Sequence, residues 1–219
     1  MDGSELSIRV VLAVAAALFV HTWRKLRPQL REPSVSLVVL GSGGHTAEML
    51  QLLRGMLPSS DHSSKRVYVV AKTDTLSAEK AVAFEASLSD SSKGGSYSIE
   101  LVDRAREVGQ SYLTSVITTM RSFLTTASLV RRHRPGMVLV NGPGTCLPIV
   151  VWARLLVAGC LVYYVESIAR VDHLSLTGKI LLRLRLANGG FFVQWRELAE
   201  SLRKQGHGNG TVQFAGRVY

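Results

Sequence analysis

The chain has 219 residues and a mass of 23.9 kDa, enough for one domain with an appendage. Apolar residues make up 47% and charged residues 19%, so the chain can bury a core, and the mean hydropathy of +0.18 leaves apolar excess to be placed. A net charge of +10 suits an anionic membrane face or a phosphorylated ligand; with aromatics at 7% and no zinc module or recognition helix, a nucleic-acid partner is excluded. Cys146 and Cys160 are too few for a disulfide scaffold or a zinc or iron–sulfur site, and both lie in or beside apolar runs, as buried reduced thiols do. The histidines have no metal-ligand spacing, so no metal is expected.

Residues 10–20 read VVLAVAAALFV without a polar interruption. Extended from Leu6 to Trp23, the segment would form a helix of ~27 Å, close to the ~30 Å hydrocarbon core of a bilayer. Arg9 and His21 lie near its ends, where polar heads can reach the interface. The basic cluster Arg24, Lys25, Arg27 and Arg31 follows the apolar run, whereas a signal peptide carries its charge before it. Residues 1–27 are therefore read as a membrane anchor with the rest of the chain on the cytosolic side; an interfacial or core helix and a signal peptide are the alternatives. Pro28 and Pro33 bound a linker over 28–34, and 35–219 is the folded domain.

From Val35 onward, short apolar runs alternate with longer helical stretches. Strands are predicted over 35–40, 66–71, 97–102, 137–140, 161–165, 191–194 and 211–214. Helices are predicted between them, over 46–57, 76–88, 111–133, 147–158, 176–186 and 195–204. The nearly continuous apolar stretch from Cys146 to Val165 resembles a membrane span, but Arg154 at its middle and Gly159 make it a helix followed by a buried strand. The alternation defines an α/β fold, a Rossmann-like doubly wound parallel sheet. Ligands of such sheets bind in the crevice beyond the carboxyl ends of the strands.

Three groups fall at those ends. The first is Gly41-Ser42-Gly43-Gly44-His45-Thr46, a loop whose backbone amides can approach an anion where a helix begins. It lacks the third glycine and the downstream acid of a dinucleotide site, and it is no Walker loop. A tight turn with no ligand explains the glycines equally well; His45 adds a candidate phosphate ligand or base. The second group is Asn141-Gly142-Pro143-Gly144-Thr145, again a rigid turn into a helix. The third is Glu166 with Ser167 and Arg170, where the glutamate is either a surface acid or an acceptor for a ligand hydroxyl.

The segments LVVLGSGGHTAEML (37–50), VNGPGTCLPI (140–149), YVESIARV (164–171), LSLTGKILL (174–182) and FVQW (192–195) closely resemble one eukaryotic family. It is the membrane-anchoring subunit of the UDP-N-acetylglucosamine transferase that adds the second sugar to dolichol-linked oligosaccharide. That family in turn resembles the amino-terminal half of GT-B glycosyltransferases. The resemblance implies a two-chain enzyme, inactive as this chain alone. A separate soluble catalytic subunit would bind most of the UDP-GlcNAc donor, and this chain would bind no cofactor. It would recruit that partner to the cytosolic face of the endoplasmic reticulum and help bind N-acetylglucosaminyl-diphosphodolichol.

Carried over by position, His45 or Glu166 would be the catalytic base. Gly41, Ser42, Gly43, Gly44 and Thr46, with Asn141, Gly142, Gly144, Thr145 and Arg170, would hold the acceptor diphosphate. The tail, with Phe214, Val218 and Tyr219, would bind the partner. Residues 186–210 depart from the family pattern, with Arg196 after Trp195 where proline is common. The alternative function is a membrane scaffold for the catalytic partner with no catalytic residues of its own.

Overall fold

A computed structural model describes residues 35–56, 65–89, 95–103, 112–207, 211–214 and 216. The expected anchor at 1–27, the linker at 28–34, and Val218 and Tyr219 lie outside the described residues.

Seven parallel strands form one sheet in the order β3-β2-β1-β4-β5-β6-β7. They are β1 (Val35–Val39), β2 (Lys65–Ala71), β3 (Tyr97–Val102), β4 (Met137–Val140), β5 (Leu161–Val165), β6 (Gly190–Val193) and β7 (Gln213–Phe214). The helices between them are α1 (Gly44–Met56), α2 (Thr75–Ser89), α3 (Tyr112–His133), α4 (Cys146–Leu156), α5 (Leu176–Arg183) and α6 (Arg196–Lys204). The chain starts in the middle of the sheet and winds outward to β3. It then crosses back through α3 and winds out the other way. β1 therefore pairs with β2 on one side (Val35 with Lys65) and β4 on the other (Ser36 with Met137). Between β1 and β4 the order reverses, and there the loops leave in opposite directions and open a crevice.

The β-branched run of β1 explains its central place. Leu37 and Val39 face the cluster under α3 to α6, while Val38 and Leu40 face the cluster under α1 and α2. All four are essentially inaccessible to water, as the two covered faces of a parallel strand require. Each such side chain contributes about 1.5–3 kcal/mol by leaving water. On the α1–α2 face, Arg66 of β2 makes a bidentate pair with Glu85 of α2 at 2.6 and 2.8 Å, and the Tyr68 hydroxyl donates to Glu85 at 2.5 Å.

The run from Cys146 to Val165 divides as the sequence indicates: α4, a turn with Gly159 at φ +81°, then β5. Pro148 sits in the first turn of α4, where its missing N–H removes no helical bond. Among the described residues, no helix is long and apolar enough to cross a membrane. Helix α5 is shorter than the predicted 176–186. It stops at Arg183 because Arg185 takes φ +51°, a left-handed terminator that residue type does not announce. β7 is the two-residue edge of the sheet, and Phe214 on it is 37% exposed beneath the guanidinium of Arg196 at 5.5 Å.

Candidate functional site

The loops after β1, β4 and β5 meet at the switch point, so the three groups singled out in the sequence share one crevice. Gly41 closes the first loop against the second, since a β-carbon there would meet Pro143 Cγ at 2.7 Å. Ser42, Gly43 and Gly44 are exposed at the amino end of α1, with Gly43 at φ +65°. Among the described residues, and apart from the adjoining backbone, no atom lies within 4 Å of where a side chain would stand on Gly43, Gly44 or Gly144, so both loops present open backbone. That is the arrangement in which free N–H groups and the helix dipole receive an anion.

His45 is half-buried at the start of α1. Asn141, fully buried at the end of β4, donates from Nδ2 to the His45 carbonyl at 2.8 Å and so fixes the backbone that carries the imidazole. At this crevice two buried polar atoms, His45 Nδ1 and Asn141 Oδ1, face no hydrogen-bond partner among the described residues. Gly142, at φ +85°, lies against this ring. A β-carbon on it would stand 3.0 Å from His45 Cε1, 3.6 Å from Nδ1 and 3.8 Å from Glu166 Oε1. The glycine therefore keeps open a small gap with the histidine on one wall and the glutamate on the other.

Glu166 is not a surface acid; it is 1% exposed. Its Oε1 accepts from the Ser167 N–H at 3.1 Å, and its Oε2 accepts from the Ser175 N–H at 2.9 Å and the Ser175 hydroxyl at 3.1 Å. Gln194 Nε2 donates to the Glu166 carbonyl at 3.0 Å. The Tyr164 hydroxyl lies 3.0 Å from Ser175 Oγ, and burial, then the charge of Glu166, raises this phenol above its ordinary value, so it stays protonated. Ser167 also reaches across the crevice: its hydroxyl donates to Glu48 of α1 at 2.9 Å, and Glu48 is itself buried.

The other expected site residues divide. Thr46 does not face the crevice. Its hydroxyl donates to the Gly41 carbonyl and lies 2.8 Å from Ser77 Oγ in the interior, where it holds the loop. Thr145 is buried just before α4 and makes no side-chain cap bond. Arg170 is half-buried at the mouth and donates to His173 Nε2 at 2.8 Å, while His173 donates to Asp172 at 2.5 Å. The Asp172 carboxyl is held below its ordinary value, first by that bond. Glu48, Ser175 and Gly178 had no role assigned from the sequence, and Ser167 was singled out there only as a member of the Glu166 group. The one available signal was the spacing of Glu48, three residues after His45 and so on the same helical side.

A parallel sheet in this order, with two glycine turns and a histidine at its switch point, defines a Rossmann-like α/β protein with a crevice beyond its strand ends. The fold is shared with a Listeria monocytogenes chain described as a UDP-N-acetylglucosamine 2-epimerase (TM-score 0.57, 13% identity, 82% of this chain and 44% of that one). It is shared also with LpCGTa, solved in complex with UDP (TM-score 0.50, 12% identity, 84% and 53%). This chain spans about half the length of each, and at such identity the likeness is one of fold alone. The family whose description is "Oligosaccharide biosynthesis protein Alg14 like" matches residues 36–211, and the chain belongs to it. Relatives called UDP-N-acetylglucosamine transferase subunit ALG14 include the Homo sapiens protein, 43% identical over 88% of this chain and 91% of that protein. The Yarrowia lipolytica protein is 42% identical over 83% of each, and the Schizosaccharomyces pombe protein 40% identical over 77% and 79%.

Proposed function

We propose that this chain is the acceptor-side subunit of a two-chain UDP-N-acetylglucosamine transferase. It adds the second N-acetylglucosamine to N-acetylglucosaminyl-diphosphodolichol in N-glycan precursor synthesis. Membership of the Alg14 family carries this reading, and the switch-point crevice gives it a chemistry. One Rossmann-like half of a GT-B enzyme is present; a soluble partner supplies the other half and most of the UDP-GlcNAc site, and this chain holds no cofactor. Residues 1–27 anchor the assembly in the endoplasmic reticulum membrane with the domain in the cytosol. The tail around Phe214, Val218 and Tyr219 meets the partner.

In this reading the acceptor diphosphate lies over the loop from Gly41 to Gly44 and the turn from Gly142 to Thr145, with Arg170 at the mouth. An acceptor hydroxyl attacks the anomeric carbon of UDP-GlcNAc. The new C–O bond forms as the bond to UDP breaks, and the hydroxyl proton passes to a base. Two candidates face the gap at Gly142. Both Glu166 oxygens are already held by donors, whereas His45 has a ring nitrogen without a partner among the described residues, so the proton is assigned to His45. Glu166 then orients and supports the imidazolium that forms.

The test compares sugar transfer to a polyprenyl-diphosphate N-acetylglucosamine acceptor in membranes holding this chain, its soluble partner, or both. Transfer with both and with neither alone is expected. Transfer by this chain alone overturns the split-enzyme reading. Transfer that survives His45→Ala overturns the assignment of the base and favours a scaffold.

A further inference from the structure

The segment LSLTGKILL takes no part in the chemistry just described, yet it closes on the catalytic crevice. Ser175 is the cap of α5: at φ −60° and ψ 163° its Oγ accepts from the Gly178 N–H at 3.0 Å, which satisfies one of the free donors of the first turn. The same residue gives Glu166 Oε2 two hydrogen bonds, at 2.9 Å from the N–H and 3.1 Å from the hydroxyl. Gly178 permits the approach. A β-carbon on it would stand 2.5 Å from Glu166 Oε2 and 2.9 Å from the Tyr164 hydroxyl. No other residue type fits there unless the carboxylate moves by about 1 Å, given ordinary carbon contacts of ~3.5 Å.

We infer that the amino end of α5, Ser175 with Gly178, is the positioning element for Glu166 in sugar transfer. This rests on the transferase reading above and extends it to two residues outside the strand-end loops. Both act on the acceptor only through Glu166. Each sets where the carboxylate stands, and through the gap at Gly142 each sets what His45 faces. Glu166 Oε1 is left aimed at that gap because Oε2 is taken up by α5. The helix adds its dipole, whose positive end lies toward the residues at its amino terminus. A shift of about 1 Å at such a site lowers turnover by on the order of 10²-fold even when binding is intact.

The experiment uses the full chain with its soluble partner in membranes, UDP-GlcNAc as donor and N-acetylglucosaminyl-diphosphate on a short polyprenyl chain as acceptor. Gly178→Ala, Ser175→Ala and Ser175→Thr are compared with wild type for kcat, for KM of the acceptor and for the amount of partner captured. Gly178→Ala and Ser175→Ala are expected to lower kcat by ~10–100-fold, with KM within about 3-fold of wild type and partner capture unchanged. Ser175→Thr keeps the hydroxyl and the cap and is expected to recover most of kcat. Wild-type kcat in the first two variants overturns the inference. So does a loss that follows partner capture and that Ser175→Thr does not repair. A wild-type pair that transfers nothing removes the transferase reading itself, a different result from either.

Discussion

Gly41 and Pro143 lock the loops after β1 and β4 together: a β-carbon on the glycine would stand 2.7 Å from Pro143 Cγ and 3.0 Å from His45 Cβ. The two glycine turns are thus packed against each other, and the histidine between them takes its place from that contact. Gly41→Ala must push the proline ring or the histidine aside. It is expected to destabilise the full chain by about 1–3 kcal/mol, as overpacking does, and to lower transfer. Urea unfolding of the detergent-solubilised protein measures the first effect, and an unchanged midpoint with unchanged transfer refutes the lock.

Glu166→Gln separates charge from shape. The amide oxygen can replace Oε2 in front of Ser175, but the NH2 group then meets the Ser167 N–H, donor against donor. Leaving that donor unpaired costs about 1–3 kcal/mol locally. Transfer is expected to fall while the partner is still captured. Equal activity of the glutamine and wild-type proteins would show that the charge is not used.

On the opposite face of the sheet, the Arg66–Glu85 pair is almost wholly buried, with both side chains 4% exposed or less. The hydrogen bond with Glu85 raises Arg66 above its ordinary value; burial opposes the shift, and the charge of Glu85 adds to it. Glu85→Ala leaves a buried cation without its bidentate partner and is expected to destabilise by about 3–5 kcal/mol. Replacing Arg66 and Glu85 together by apolar residues of similar volume should recover much of that. The double variant being no better than the single would contradict the argument.

Alkaline pH should weaken the fold. Burial pushes the Cys160 thiol from 9.0 up to about 12, and it raises Cys146, Tyr68 and Tyr164 as well. The unfolded chain ionises its thiols from about pH 8.5, while the folded chain keeps its protons. Stability is therefore fully present below that pH and is lost as pH rises toward the raised values. A denaturation midpoint that falls between about pH 7.5 and pH 10, with thiols that react only after unfolding, is the expected result; a midpoint that rises is the contrary one.

The sheet was legible because its punctuation is local. Gly43, Gly142 and Gly159 each sit at a positive φ where a strand or helix turns, and β-branched runs fill β1, β2 and β5. The end of α5 was not legible, since Arg185 takes the left-handed terminator that glycine usually marks. His45, Asn141 and Glu166 stood out as polar residues at strand ends. What fixes Glu166 did not, because Ser175 and Gly178 are ordinary members of a helix start. The bond from Ser167 to Glu48 joins residues 119 apart, and no local pattern encodes it. The inward turn of the Thr46 hydroxyl was hidden for a related reason: its partner Ser77 lies on α2, 31 residues on.

The most direct test of the whole account is single-turnover transfer by the assembled pair with His45→Ala against wild type. The crevice is the acceptor's chemical site if the variant captures the partner normally and transfers ~10²–10⁴-fold more slowly, the span that general-base catalysis supplies. A variant that transfers at the wild-type rate would contradict the account and leave the glycine loops as structure alone.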